Sequence, residues 1–177
     1  MKCINKLIDD QYDNKGITHT RYISRAILLN EKNEILLLHV FCDDDFGHRD
    51  YYETPGGGIN EGETKEKAVL REVEEETGYS ASIICEIGYV EDYYNLIHRH
   101  NINYYFLLRI NKYIGAHQEK YEKNVIKDMN FYSIDKSIEL YENMNKEKIE
   151  ILVQRRELPI LKEVKKILSE VNYERKR

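Results

Sequence analysis

The chain has 177 residues, with 27 lysines and arginines against 32 aspartates and glutamates, a formal net charge of -5. That balance argues against a general binder of long nucleic acid, which relies on a broad basic surface. Hydrophobic residues at 41% and charged residues at 33% are those of a globular chain able to bury a substantial core, not of a disordered or membrane-embedded one. No run of about 18 apolar residues occurs, and the opening Met-Lys-Cys-Ile-Asn-Lys lacks an apolar signal stretch, so the expectation is one cytoplasmic domain, residues 1–177, with no membrane partner. Cys3, Cys42 and Cys85 are scattered without metal-ligand spacing and read as incidental thiols. Small phosphorylated molecules stay open as partners, because a bound cation can reverse the sign of an acidic pocket.

In chain order, Lys2 to Tyr22 is mixed, with Asp13-Asn14-Lys15-Gly16 as a turn signal between short strands. Arg25 to Leu29 and Ile35 to Val40 are apolar, β-branched runs separated by Asn30-Glu31-Lys32-Asn33, which predicts a β-hairpin. Phe41 to Asp50 reads as an acidic loop, and Tyr51-Tyr52-Glu53 leads to Pro55. Ala81 to Val90 and Tyr104 to Ile110 are strand candidates on either side of the polar stretch Glu91 to Asn103. Asn111 to Asp128 reads as a long loop, Met129 to Ser133 as a short strand and Asp135 to Tyr141 as a helix. Beyond it, Ile149, Leu152 and Val153, then Leu161, Val164, Leu168 and Val171 have amphipathic helical spacing. Pro159, lacking an amide hydrogen, should start a new helical segment or kink the old one. Strand, helix and strand in this order suit an α/β (α+β) fold, a mixed sheet with helices on its faces.

The most informative stretch is Pro55 to Tyr79. Four glycines and a proline between Pro55 and Gly62 predict a close-approaching loop rather than a regular element. Thr64 is a suitable N-cap, good helix formers follow, and Gly78 supplies the stop. On that helix Glu72, Glu75 and Glu76 stand at i, i+3 and i+4 and share a face, while Ala68, Val69 and Val73 form an apolar stripe beside them. The plain reading is a solvated acidic face. Repulsion among the carboxylates, with Glu74 added and only Arg71 and Lys67 close by to compensate, favours the alternative, in which a hard divalent cation turns repulsion into coordination.

These residues resemble the Nudix box, the signature of the Nudix hydrolases: Gly57, Glu63, Arg71, Glu72, Val73, Glu75, Glu76 and Gly78 occupy its specified positions, and only Tyr79, where an aliphatic residue is usual, departs. The resemblance implies a Nudix-like α/β/α sandwich with a mixed sheet between helices. It also implies a pyrophosphohydrolase that uses Mg2+, with Mn2+ as an alternative, on a nucleoside diphosphate linked to another moiety. In this reading Glu72, Glu75, Glu76 and the backbone carbonyl of Gly56 hold the metal. Carboxylates suit such hard ions, whereas zinc would call for Cys or His clusters.

By the same resemblance Arg71 orients Glu63 or Glu75, although direct contact with phosphate is the other reading, and Glu63 stabilises the box. The general base is Glu72 or a loop glutamate, Glu119 or Glu122. Arg25, Arg49, Tyr52 and Tyr94 are candidates to hold a nucleotide; Tyr93 and Tyr94 lie where some members acting on dinucleoside polyphosphates carry a tyrosine, against a background of 15 tyrosines in the chain. The competing reading is a Nudix-like domain that binds a nucleotide as a regulator without cleaving it, and a homodimer is left open by the sequence.

Overall fold

The computed structural model describes residues 1–44, 47–115 and 125–174. The elements are β1 (Cys3–Leu7), β2 (His19–Leu29), β3 (Ile35–Asp44), β4 (Gly47–Glu53), β5 (Gly56–Gly58), α1 (Lys65–Thr77), β6 (Tyr79–Tyr94), β7 (Arg99–Tyr113), β8 (Ile126–Tyr132), α2 (Ile134–Glu142) and α3 (Lys148–Glu174), with a short 3-10 turn at Asn95–Ile97 between β6 and β7. The sheet runs β1-β6-β7-β2-β3-β4, with β5 on β2 and β8 on β3. It is mixed, as expected: β1 with β6 and β2 with β7 are parallel, and the other pairs are antiparallel.

The two sides of the sheet carry two cores, set by strand alternation. Ala26, Leu28, Leu36, Phe106 and Leu108 pack with Val69 and Val73 of α1. Their strand neighbours Ile27, Leu29, Ile35, Leu37, Tyr105 and Leu107 face the other way, onto Tyr141 of α2 and Val153, Ile160, Leu161 and Val164 of α3. The result is a helix, sheet and helix sandwich. α1 has the predicted bounds: Thr64 Oγ1 accepts from Lys67 N at 3.3 Å, and Gly78, left-handed at φ +74°, donates its N–H to Glu74 O at 3.0 Å.

β2 and β3 share a single ladder pair, Leu29 with Ile35, before they part. Into the opening the chain inserts β5, whose Gly56, Gly57 and Gly58 pair with Arg25, Ser24 and Ile23, while Pro55 O accepts from Ala26 N at 2.8 Å. The glycine stretch is therefore partly a strand and not the loop its composition predicts, because β2 offers an unpaired edge there.

Three further expectations are corrected. Most of Phe41 to Asp50 is strand and not a loop: Phe41 to Asp44 continue β3, and Gly47 to Asp50 begin β4, paired from Leu38 with Glu53 outward to Asp44 with Gly47. The polar stretch Glu91 to Asn103 belongs mostly to β6 and β7, paired from Glu91 with Ile102 to Tyr94 with Arg99. Of the two outcomes expected at Pro159, the start of a new segment is not seen, since α3 runs through it. A proline deprives the carbonyl four residues earlier of its helical donor, and that carbonyl, Arg155 O, instead accepts from Asn5 Nδ2 of β1 at 3.2 Å.

Candidate active site

The site forms where β5 passes the part of α1 that carries Glu72 and Glu76. Gly56 has φ +151°, and a Cβ there would lie 2.3 Å from Ser24 O, so only glycine lets the chain lie this close to β2. At Gly57 a Cβ would fall 2.4 Å from Glu72 Oε2; the carboxylate occupies the space a side chain would take. Glu72 and Glu76, one helical turn apart, are 8% and 9% exposed, and Gly56 N donates to Glu76 Oε2 at 2.8 Å. The helix and the glycine strand are thus tied through the glutamates themselves.

Arg71 organises the rest. Its Nε and Nη2 donate to the two oxygens of Glu63, both at 2.9 Å, and Nη1 donates to Glu72 Oε1 at 2.7 Å and to Glu75 Oε2 at 3.0 Å. Nη2 also donates to Gly58 O at 3.0 Å. The two-pronged contact matches guanidinium to carboxylate geometry. The bond to Glu63 does most to strengthen the guanidinium's hold on its proton, and the same bond holds the Glu63 carboxyl below its ordinary value.

A cavity of about 540 Å³ opens over these groups, lined by Glu72, Glu75, Glu76, Arg71 and Gly56 to Gly58, together with Arg21, Arg49 and Glu53. Among the described residues no three His, Cys, Asp or Glu side chains stand as a ready metal cage, because Glu72 and Glu75 face Arg71 and Glu76 faces Gly56 N. The donor set nonetheless fits a hard divalent cation: it is all oxygen, borne on one helix, and laid against a backbone that carries no side chain at Gly57.

The other predicted residues divide. Arg49 lines this cavity and a second chamber next to it, of about 260 Å³, whose walls also include Arg25 and Tyr94. Arg25 is 7% exposed and is engaged by Glu53 at 2.8 Å and by Asn103 Oδ1 at 3.1 Å. Tyr52 is not brought to either cavity: on β4 it alternates away from Arg49, Tyr51 and Glu53, and it stacks on His39 with ring centroids 5.0 Å apart. Burial and its neighbour Tyr132 push the Tyr52 hydroxyl up to about 12. Glu119 and Glu122 lie outside the described residues.

Sequence reasoning missed a buried ionic network under the site. Glu53 accepts from Arg25 and from Arg156 Nη2, the latter at 2.7 Å. Glu157, fully buried, accepts from Arg156 Nε at 2.9 Å, Tyr105 Oη at 2.9 Å and Thr54 Oγ1 at 2.7 Å. The signal for it was slight, since Arg156-Glu157 interrupts the apolar face of α3 where plain packing would want two more aliphatic residues.

A family model described as the NUDIX domain matches residues 19–157. Over 65 residues the chain is 39% identical to a putative 8-oxo-dGTP diphosphatase of Bacillus subtilis (strain 168), a stretch amounting to 36% of this chain and 38% of that protein. Over 56 residues it is 43% identical to the 8-oxo-dGTP diphosphatase of Escherichia coli (strain K12), covering 32% of this chain and 42% of the relative. The match thus spans about two fifths of the length of these curated relatives. The crystal structure of a C. elegans Ap4A hydrolase binary complex superposes with a TM-score of 0.59 at 15% identity, over 85% of this chain and 98% of that one, a likeness of fold.

Proposed function

Because this chain belongs to the Nudix family, we propose that it is a metal-dependent pyrophosphohydrolase, cleaving a phosphoanhydride bond in a nucleoside diphosphate linked to another moiety. The observation that carries this reading is that Glu72, Glu75 and Glu76 line one cavity of about 540 Å³ with the glycine strand, the first two held by Arg71 and the third by Gly56 N. The names of the two similar bacterial proteins, a putative 8-oxo-dGTP diphosphatase and an 8-oxo-dGTP diphosphatase, support the same class of bond. We take residues 1–177 as one domain, since β1 pairs with β6 and α3 closes one face of the same sheet.

Glu72, Glu75, Glu76 and the Gly56 carbonyl would hold Mg2+, or Mn2+ in its place. Such an ion supplies positive charge against the phosphate oxygens and acidifies water near it. The chain's own residues do the rest. Arg71 keeps Glu72 and Glu75 from repelling one another apart, and Glu63 fixes Arg71 in turn. A water oxygen bonds to phosphorus as the bridging P–O bond breaks, and a carboxylate takes the water's proton. We assign that base to Glu72, whose carboxylate lines the cavity. The products are a nucleoside monophosphate and a phosphorylated partner, or pyrophosphate when the substrate is a triphosphate. We assign contact with the polyphosphate to Arg49, which lines the cavity, and contact with the rest of the nucleotide to Tyr94 and Arg25, which line the adjoining chamber.

The test is release of nucleotide or phosphate from nucleoside triphosphates, nucleotide sugars, ADP-ribose and dinucleoside polyphosphates with Mg2+, with Mn2+ and with chelator. Cleavage that needs metal and falls at least 100-fold in Glu76→Gln supports the proposal. No cleavage of any compound, together with stabilisation by nucleotide, would replace it with a regulatory domain that binds without turnover.

A further inference from the structure

The second chamber departs from the charge of the protein as a whole. In a chain of net charge -5, its walls hold Arg21, Arg25, Arg49, Arg99 and Arg156 against only Glu53 and Asp92. Strand alternation collects them: Arg21 and Arg25 lie two apart from Ile23 on β2, Arg49 two before Tyr51 on β4, and Arg99 two before Asn101 on β7, all on the side roofed by α3. Ile149, Leu152 and Val153 of that helix add an apolar wall.

The arginines are not equivalent. Arg25 and Arg156 are engaged by Glu53 and Glu157. Asp92 accepts from Asn103 at 2.6 Å and Asn101 at 3.3 Å. Arg99 is half-buried, and its Nε is buried with no hydrogen-bond partner among the described residues, which is costly for a guanidinium. Burial, and then the charge of Arg21, lower its hold on a proton to about 10, with Arg25 and Arg156 acting the same way and Asp92 opposing. Arg21, exposed, reaches from this chamber to the catalytic cavity, where a Cβ on Gly58 would lie 2.9 Å from its Nη2.

We propose that the chamber is a second anion subsite, in which Arg99 and Arg21 receive a phosphate that the substrate carries apart from the diphosphate being cleaved. An anion there supplies the acceptor that Arg99 Nε lacks and separates the like charges of the cluster. The chamber shares Arg21, Arg49 and Glu53 with the catalytic cavity, so one molecule can reach both. The inference rests on the hydrolase reading for its substrate, but the binding itself does not need turnover.

The test is therefore thermal stabilisation in the presence of chelator, comparing adenosine 5′-monophosphate, ADP, adenosine 2′,5′-bisphosphate and adenosine 3′,5′-bisphosphate. ADP and the bisphosphates carry the same number of phosphates and differ in where the second one sits. We expect one bisphosphate to stabilise at a tenfold lower concentration than either AMP or ADP, and Arg99→Gln to bring the three within about twofold. Arg21→Gln, at an exposed position, should narrow the preference in the same direction and guards against a folding defect in the first variant. Equal binding of all four, a gain with ADP as large as with the bisphosphates, or a preference that survives both substitutions would overturn the proposal. Triphosphate hydrolysis without this preference leaves the hydrolase reading standing and removes the subsite; preference without any hydrolysis does the reverse.

Discussion

Gly57 and Glu72 share one volume of space: a methyl group on the first would lie 2.4 Å from Oε2 of the second. Gly57→Ala must therefore push the Glu72 carboxylate off Arg71 or lift β5 from β2. A displacement of about 1 Å at a reacting centre costs on the order of 100-fold in rate. We expect a loss of that size in kcat, with a melting temperature within a few degrees of the parent, measured by steady-state kinetics and calorimetry. Near-normal kcat would mean that Glu72 is not in the chemistry.

Arg71→Lys keeps the charge and loses the fork that reaches Glu63, Glu72 and Glu75 together. Groups that orient metal ligands are worth about 10- to 100-fold in metal affinity or activity. The expected result is a drop of that size, part of which is recovered at high Mg2+. A purely phosphate-binding arginine would raise KM instead and show no such recovery.

The same bond predicts an acid limb. Glu63 is held below its ordinary 4.5 by Arg71, so the folded chain takes up that proton less readily than the unfolded one. The stabilisation is complete above the ordinary value and fades as pH falls through the lower, folded-state value. Melting temperatures followed from about pH 6 to 3 should fall less steeply in Arg71→Gln than in the parent chain. Parallel curves would rule out Glu63 as a contributor.

Glu157 lies between Arg156 and the β-sheet with no exposure. Glu157→Gln leaves Arg156 and Arg25 with less countercharge in a buried place, where removing one partner costs about 3–5 kcal/mol. Urea unfolding should show it. A loss below about 1 kcal/mol would place the two arginines in water rather than in a closed network.

Asn5 and Pro159 can be tested as a pair. Asn5→Ala removes the donor to Arg155 O and should cost about 1 kcal/mol, the worth of a typical hydrogen bond. In Pro159→Ala the helix regains its own N–H for that carbonyl, so the cost of Asn5→Ala should shrink. Additive effects in the double-mutant cycle would show that the amide does not stand in for the missing helical bond.

The acidic face of α1 was legible because a helix fixes its own geometry: once Thr64 and Gly78 bound α1, the spacing of Glu72, Glu75 and Glu76 decides that they share a side. The glycine strand was not, since Gly56 to Gly58 have poor intrinsic strand preference and pair only because β2 leaves an edge for them. Arg99, Arg21 and the network of Glu53 with Arg156 depend on which residues of distant strands face one another. Thr54 and Glu157 are 103 positions apart, and no local pattern records such a contact. Tyr52 shows the opposite error, a plausible residue type on a strand whose alternation carries it elsewhere.

The early parting of β2 and β3 also makes the sheet a fork, whose tines are joined by one ladder pair at the base and braced near the site by α3 through Glu53 and Glu157. The cavity opens between the tines, with Arg21 of β2 and Leu38 and Val40 of β3 among its walls. A substitution at Arg156 of α3 thus reaches Glu53 on the cavity wall without touching a single glutamate of α1, so the shape of the cavity and the acidic face of the helix are set by parts of the molecule that can change separately.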